Sequence, residues 1–324
     1  MLSFNEYLDM VNAAVAAIKY PAAPRGLYEP IAYTMSLGGK RIRPSLVLMA
    51  CDAFGGNVTD AVAPAVGLEL FHNFTLLHDD VMDKADIRRG KPTVHIKWND
   101  NTAILSGDAM LTTATRYISK APVPVMPEVM TLFNKTAMEI YEGQQYDMEF
   151  ENRMDVREDE YLNMIRLKTS VLIGCACKMG AVIAGGDSND ASLLYRFGEL
   201  IGLAFQLQDD LLDVYGDEKS FGKAIGGDIM NNKKTFMLIK ALELSQGADR
   251  DELLSWINAD NPDRAEKVAA VTKIYTHAGI REIAEKRISV YTEEALETLA
   301  GINMTDEGKQ AFRAFANMLM ERKK

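Results

Sequence analysis

Cysteine, tryptophan and histidine are scarce in this 324-residue chain, at three, two and four residues. Cys51, Cys175 and Cys177 form no CxxC, which argues against a disulfide framework or a structural zinc site and makes a reduced cytoplasm the expected setting. Positive charge is in deficit, with 36 Lys and Arg against 46 Asp and Glu and a net charge of −10, so a nucleic-acid-binding face is not expected. No apolar run reaches the roughly 18 residues that a membrane-spanning helix needs. The opening stretch "MLSFNEYLDMVNAAVAAIKYP" carries acids where a signal peptide carries bases, so no leader is expected either. The GxxxxGK[ST] phosphate loop, the dinucleotide-binding glycine pattern and the GxSxG nucleophile elbow are all missing.

What is present reads as helix after helix. "AVAPAVGLELFHNFTLLHDDVMD", "TSVLIGCACKMGAVIAGG" and "LLYRFGELIGLAFQLQDDLLDVYGD" are apolar on nearly every side, as buried helices are. "KKTFMLIKALEL" and "EGKQAFRAFANMLMERKK" are amphipathic at the helical period, and no strand alternation stands out. Glycine and proline punctuation such as "LGGKRIRP", "RRGKP" and "AGGDSND" marks turns too short to be domain linkers. The expectation is one all-α domain over residues 1–324, with buried central helices ringed by amphipathic ones.

One pattern occurs twice. "LLHDDVMD" carries Asp79, Asp80 and Asp83, and "QLQDDLLD" carries Asp209, Asp210 and Asp213. Each is a DDxxD closing an apolar stretch, and each aspartate of the second follows its counterpart by 130 residues. On a helix, residues i and i+4 share a face, so the outer aspartates act together with the middle one beside them. Clustered like charges near a helix C-terminus destabilise it locally. A single such cluster would be read as a solvated acidic turn. Two in the same apolar context point to hard-cation sites, since Mg²⁺ takes oxygen ligands and is held by one or two carboxylates plus substrate phosphates.

Cations gather in step with the acids. "LGGKRIRP" places Lys40, Arg41 and Arg43 after two glycines, where the backbone can approach an anion and arginine can grip phosphate oxygens bidentately. Arg88 and Arg89 follow the first aspartate motif, and Lys168-Thr169, Lys223 and Lys233-Lys234-Thr235 come later. Two separable basic groups suggest two anionic substrates, one bridged by metal and one held without it. Glu69 and His72 form an ExxH, but no second copy exists, so a di-iron bundle is not expected. A metal phosphohydrolase built on His72, His78 and Asp79 would leave the second DDxxD and the arginines unexplained.

With these motifs in order, the sequence resembles the trans-isoprenyl diphosphate synthases, or polyprenyl synthetases. The stretches "GGKRIRP", "LELFHNFTLLHDDVMDKADIRRGKPT", "GQQYDMEF", "RLKTSVLIGCA", "AFQLQDDLLD" and "GKAIGGDIMNNKKT" carry the resemblance from about residue 25 onward. It implies an isoprenoid synthase fold with helices bundled around a deep central cavity, a homodimer, and Mg²⁺ as three ions with substrate bound. It implies head-to-tail condensation of isopentenyl diphosphate with an allylic diphosphate. By the same resemblance Asp79, Asp83 and Asp209 are the expected direct metal ligands, supported by Asp80, Asp210 and Asp213. Arg88, Lys168, Lys223 and Lys233 would bind the allylic diphosphate, with Lys168, Thr169 and Gln206 near the carbocation. Gly39, Lys40, Arg43, His72 and Arg89 would bind isopentenyl diphosphate.

The family limits product length with bulky residues just upstream of the first DDxxD. Phe74 stands five positions before Asp79, Thr75 four before, and Phe71 one helical turn above Phe74. One aromatic there, with an uninterrupted motif, is similar to archaeal-type geranylgeranyl diphosphate synthases and implies a product of fifteen to twenty carbons, twenty favoured. Two departures are Ala224 where the family often has Pro and Asn232 where it often has Gly, from which altered loop stiffness is expected. The terminal "ERKK" is either a basic tail closing over the isopentenyl site or a solvated end. A terpene cyclase, or a non-catalytic synthase subunit, would be expected to have lost some of the six aspartates, all of which are present.

Overall fold

A computed structural model of the chain describes residues 1–216 and 225–321. Lys223, Ala224 and the last three residues of "ERKK" lie outside the described residues. The chain divides into two compact units. The first comprises residues 1–134, 175–194 and 303–311, and the second comprises 135–174, 195–302 and 312–324. As the sequence implies, the described residues are helical almost throughout, and no helix among them is long and apolar enough to cross a membrane.

The first unit is built on α4 (Val58–Met82), after α1 (Phe4–Ala16), α2 (Arg25–Ser36) and α3 (Ile42–Ala53). Thirteen of the 25 residues of α4 are buried, from Ala61 through Leu68, Leu70 and Phe71 to Leu77, which accounts for its apolar composition on every side. Its main neighbour is α6 (Asp100–Ile118). A Cβ on Gly67 would lie 2.6 Å from Ile118 Cγ1 and 2.8 Å from the Ala114 carbonyl, so the close crossing of α4 and α6 requires glycine there. α1 is anchored to α3 by Tyr7, whose hydroxyl donates to Asp52 Oδ2 at 2.6 Å, and its start is closed by a Ser3–Glu6 capping box.

Between α4 and α5 (Val94–Lys97) lies the one departure from an all-helical pattern among the described residues. Strands β1 (Ile87–Arg88) and β2 (Lys91–Pro92) pair antiparallel across a two-residue turn, Arg89-Gly90, with both residues at positive φ (52° and 74°). This is the type I′ geometry that tight hairpins use. Two residues per strand are too few to show alternation in sequence. Thr93 pins the base, its hydroxyl donating to the Ala85 carbonyl at 2.7 Å and its amide to that of Asp86 at 2.9 Å.

The second unit takes up the later parts of α7 (Met126–Glu151) and α10 (Ser188–Tyr215), with α8 (Glu158–Ile165) and a π-helical turn at Arg166–Ser170 leading into α9 (Val171–Ile183). It continues with α11 (Gly227–Met230), α12 (Phe236–Leu244), α13 (Gly247–Ile257), α14 (Arg264–His277) and α15 (Ile280–Ala300), and ends in the later part of α16 (Asp306–Met320). Its core joins Phe150, Tyr161, Leu207, Leu211, Phe236 and Tyr275. The amphipathic reading of "KKTFMLIKALEL" is too modest, because Phe236, Met237, Leu238 and Ile239 are all buried in succession.

Arg41 corrects an expectation. Grouped by sequence with the anion-binding cations, it is 5% exposed and forms a buried ion pair with Glu69. It also donates to the Met35 carbonyl at 2.8 Å, while Glu69 accepts from Asn73 Nδ2 at 2.8 Å. Glu69 is therefore the partner of a structural arginine and no part of a metal site. Removing one member of such a pair strands a buried charge, which costs about 3–5 kcal/mol. Glu69→Ala is expected to lower the unfolding free energy by that amount in urea titrations, and Arg25→Ala, whose partner Glu29 is exposed, by less than about 1 kcal/mol. Equal effects would contradict the structural assignment of Arg41.

Candidate active site

In the first unit the two glycines of "LGGKRIRP" end where α3 begins. Gly39 has φ +136°, open to glycine alone, and a Cβ there would fall 2.8 Å from Arg89 Nη2. The guanidinium of Arg89 thus lies directly over Gly39, and it donates to the Gly38 carbonyl. Arg43, in the first turn of α3, donates from Nη1 to His72 Nε2 on α4 at 3.2 Å. Gly39, Arg43, His72 and Arg89, separated by up to 50 residues, are brought into one neighbourhood. Lys40 is exposed beside them.

The electrostatics of this neighbourhood are unbalanced. Arg41 is paired with Glu69, and Arg88 with Asp80, where Nε donates to Oδ1 at 2.7 Å. Arg43 and Arg89 instead contact neutral groups, an imidazole and a carbonyl. Burial pushes both below the usual arginine range; Glu69 opposes the shift, and the neighbouring guanidinium charges reinforce it. Arg43 Nε is buried with no hydrogen-bond partner. Two crowded, under-compensated guanidinium groups beside glycine backbone make a seat for an anion.

The first aspartate motif closes α4. Asp80 is 5% exposed, and burial raises its carboxyl against the lowering effect of Arg88. Asp79 is half-buried, with Arg88 Nη2 at 4.0 Å, and Asp83 is exposed at the helix end. One turn back, Phe74 is 6% exposed and sits between Phe71 and His78, with ring centroids 5.7 and 4.7 Å away. Phe71 is fully buried and meets Phe133 edge-on at 5.1 Å. The Thr75 hydroxyl turns back to the His72 carbonyl at 2.8 Å.

The second unit holds the second motif. Asp210 is 3% exposed, accepts a hydrogen bond from the Tyr161 hydroxyl, and accepts another from Gln206 Nε2 at 3.3 Å. Burial, with Asp228 nearby, pushes its carboxyl up to about 7. Asp213 is 8% exposed and its Oδ2 accepts the Asp228 amide at 3.0 Å. Asp209 is half-buried. Lys168 and Thr169 occupy the π turn, a feature that recurs at functional sites. Lys168 Nζ meets Asp147 Oδ2 at 2.6 Å, and Thr169 Oγ1 lies 3.4 Å from Gln206 Oε1. Lys233 lies close enough to lower the Asp147 carboxyl. Among the described residues, sequence reasoning missed Asp147, Tyr161 and Asp228. Asp147 had a signal in "GQQYDMEF", where Gly143 lets α7 approach the backbone of Lys168, a Cβ falling 2.4 Å from its nitrogen.

Each motif therefore separates inner carboxylates, Asp80, Asp210 and Asp213, engaged by protein donors, from more accessible ones, Asp79, Asp83 and Asp209. Among the described residues no three acidic, histidine or cysteine side chains converge tightly enough to hold a metal alone. His72 gives a pH prediction. Burial first, then Arg43, Arg89, Arg88 and Arg41, hold its imidazole well below 6.5. The unfolded chain takes up this proton as pH falls below about 6.5 while the folded chain resists it, so stability drops on acidification. Unfolding free energy from pH 6.5 to 5 is expected to fall with a component approaching about 1.4 kcal/mol per pH unit. That component should be absent from the urea titrations of His72→Gln.

Comparison with known proteins places this geometry. Residues 24–275 match the model of the polyprenyl synthetase family. The chain is 37% identical over 318 residues to a short chain isoprenyl diphosphate synthase of Methanothermobacter thermautotrophicus, covering 98% of this chain and 97% of that one. It is 40% identical over 292 residues to a geranylgeranyl diphosphate synthase of Methanosarcina mazei, covering 89% and 88%. A crystal structure of a geranylgeranyl pyrophosphate synthase superposes with a TM-score of 0.92 at 43% identity, covering both chains completely. The chain belongs to the polyprenyl synthetase family, a prenyltransferase of the all-α isoprenoid synthase fold.

Proposed function

We propose that this chain condenses isopentenyl diphosphate head-to-tail with an allylic diphosphate to give an all-trans prenyl diphosphate, with twenty carbons the favoured length. The observation that carries this reading is the under-compensated Arg43–Arg89 seat over Gly39, next to an aspartate motif on the same helix as His72. A metal-free anion site beside a carboxylate site suits two diphosphate substrates, one held by each. The names of the relatives, geranylgeranyl and short-chain isoprenyl diphosphate synthases, support the same reaction. In this reading residues 1–324 act as one catalytic domain, in a cytoplasmic homodimer.

The roles follow from chemistry. Gly39, Lys40, Arg43, His72 and Arg89 hold isopentenyl diphosphate, the neutral imidazole serving as a hydrogen-bonding group and not as a charge. Asp79, Asp83 and Asp209 would ligate Mg²⁺, with Asp80, Asp210 and Asp213 fixing the motifs from inside through their protein donors. Bound Mg²⁺ would neutralise the diphosphate that leaves. Arg88, Lys168 and Lys233 add positive charge for the allylic diphosphate, and Lys223 joins them by sequence alone. The allylic C–O bond breaks, the isopentenyl double bond supplies the pair for the new C–C bond, and a proton is lost. The Thr169 hydroxyl and Gln206 carbonyl supply dipoles suited to the transient cation. No side chain is assigned as base, and the released diphosphate takes the proton.

Phe74, backed by the fully buried Phe71 and with Thr75 beside it, is assigned as the floor that stops growth. Incubation with isopentenyl diphosphate, each allylic primer and Mg²⁺, with products separated by chain length, tests the whole reading. Asp79→Ala and Asp209→Ala are each expected to slow condensation by on the order of a thousandfold. Near-normal turnover by both would sink the proposal. Phe74→Ala is expected to shift the product beyond twenty carbons, and an unchanged product would refute the floor.

A further inference from the structure

Asn232 stands immediately before Lys233, with φ 50° in the left-handed region. Asparagine tolerates that region better than most residues do, but glycine adopts it without strain. The side chain does something glycine could not. Its Nδ2 donates to the Ile257 carbonyl at the end of α13 at 2.9 Å, and its Oδ1 accepts from Lys267 Nζ at 2.8 Å.

Lys267, on α14, is 2% exposed. Among the described residues no carboxylate pairs with its ammonium, which reaches two neutral oxygens, Asn232 Oδ1 and, at 3.4 Å, the Met230 carbonyl at the end of α11. A buried lysine without a counter-ion is costly, and burial alone lowers its proton affinity. Core packing would be served better by an apolar side chain of the same length. The neighbouring Lys234 adds a further tie, donating to the Asn232 carbonyl at 3.1 Å and to that of Glu151 at 3.3 Å. At its other end the same segment is held by Asp213, whose Oδ2 accepts the Asp228 amide, and the Lys233 amide closes onto the Asp228 carbonyl at 2.9 Å.

We infer that Asn232 and Lys267 form a clamp that positions the 226–235 segment, so that Lys233 is pre-set for the allylic diphosphate. They are positioning residues, acting through Lys233 without touching substrate. The inference rests on the role given above to Lys233. It explains why a lysine is buried where, among the described residues, neutral oxygens alone receive it. A segment fixed before substrate arrives spends less binding energy on ordering itself. The clamp therefore acts on allylic affinity and leaves isopentenyl binding, whose residues lie in the first unit, untouched.

The test is steady-state kinetics with each substrate varied in turn, on the full chain and on Asn232→Gly, Lys267→Met and the double variant. Asn232→Gly keeps the left-handed backbone and removes both side-chain bonds, and Lys267→Met keeps the length and removes the ammonium. Each single variant is expected to raise KM for the allylic diphosphate by on the order of tenfold. KM for isopentenyl diphosphate should not change, and kcat should stay within about twofold. The double variant should be no worse than the more impaired single one, because both break one device. Additive effects, equal rises in both KM values, or a lowered melting temperature with unchanged constants would overturn the clamp. A parent chain that performs no condensation would overturn the synthase reading instead.

Discussion

The buried pair of Arg41 and Glu69 is the constraint on which the first unit's site depends. Arg41 caps α3 in a left-handed conformation, φ 47°, which costs a non-glycine residue about 1–2 kcal/mol and persists because Glu69 and the Met35 carbonyl each hold one end of the guanidinium. With Arg41 turned inward, the glycines before it are left at the surface under Arg89, and Arg43, two residues on, reaches His72. The strained residue is thus the pivot that separates a buried structural cation, Arg41, from Lys40 and Arg43, the candidate anion binders, within a four-residue stretch.

A second theme is the division of labour inside each aspartate motif. Asp80, Asp210 and Asp213 are buried and held by an arginine, a tyrosine with a glutamine, and a backbone amide. The interior ones fix the helix segments that carry Asp79, Asp83 and Asp209, since a carboxylate tied to the protein restrains the turn it sits on. The DDxxD spacing accounts for the burial of Asp80 and Asp210, the middle residues about 100° round from the outer pair, whereas Asp213, an outer member, is buried through its contact with the Asp228 amide.

Much of this was legible in the sequence, for identifiable reasons. Helix content, the buried character of α4 and α10, and the aspartate pattern all follow from periodicity and composition, which are local. Arg41 was misgrouped because charge type is visible in sequence and side-chain direction is not. Asp147, Tyr161 and Asp228 were missed because each meets its partner across the fold: Asp147 joins Lys168 21 residues on, and Tyr161 joins Asp210 49 residues on. The π turn carrying Lys168 and Thr169 left no mark that distinguishes it from ordinary helix. Asn232 stands out in sequence only as a departure from glycine, and its route to Lys267 depends on a tertiary contact.

The hairpin turn at Arg89-Gly90 has a consequence for how the chain can vary. Adjacent arginines on a helix would fan out by 100° and remain neighbours in function. Here the reversal of direction sends Arg88 back to Asp80 while Arg89 crosses to Gly38 and Gly39. A single peptide unit sorts two identical side chains to two different addresses. Inserting or deleting one residue in that turn would leave the composition, the charge and every helix intact, yet exchange the addresses. A segment of four residues is therefore far less tolerant of length change than the surface loops around it, and its length carries as much information as its letters.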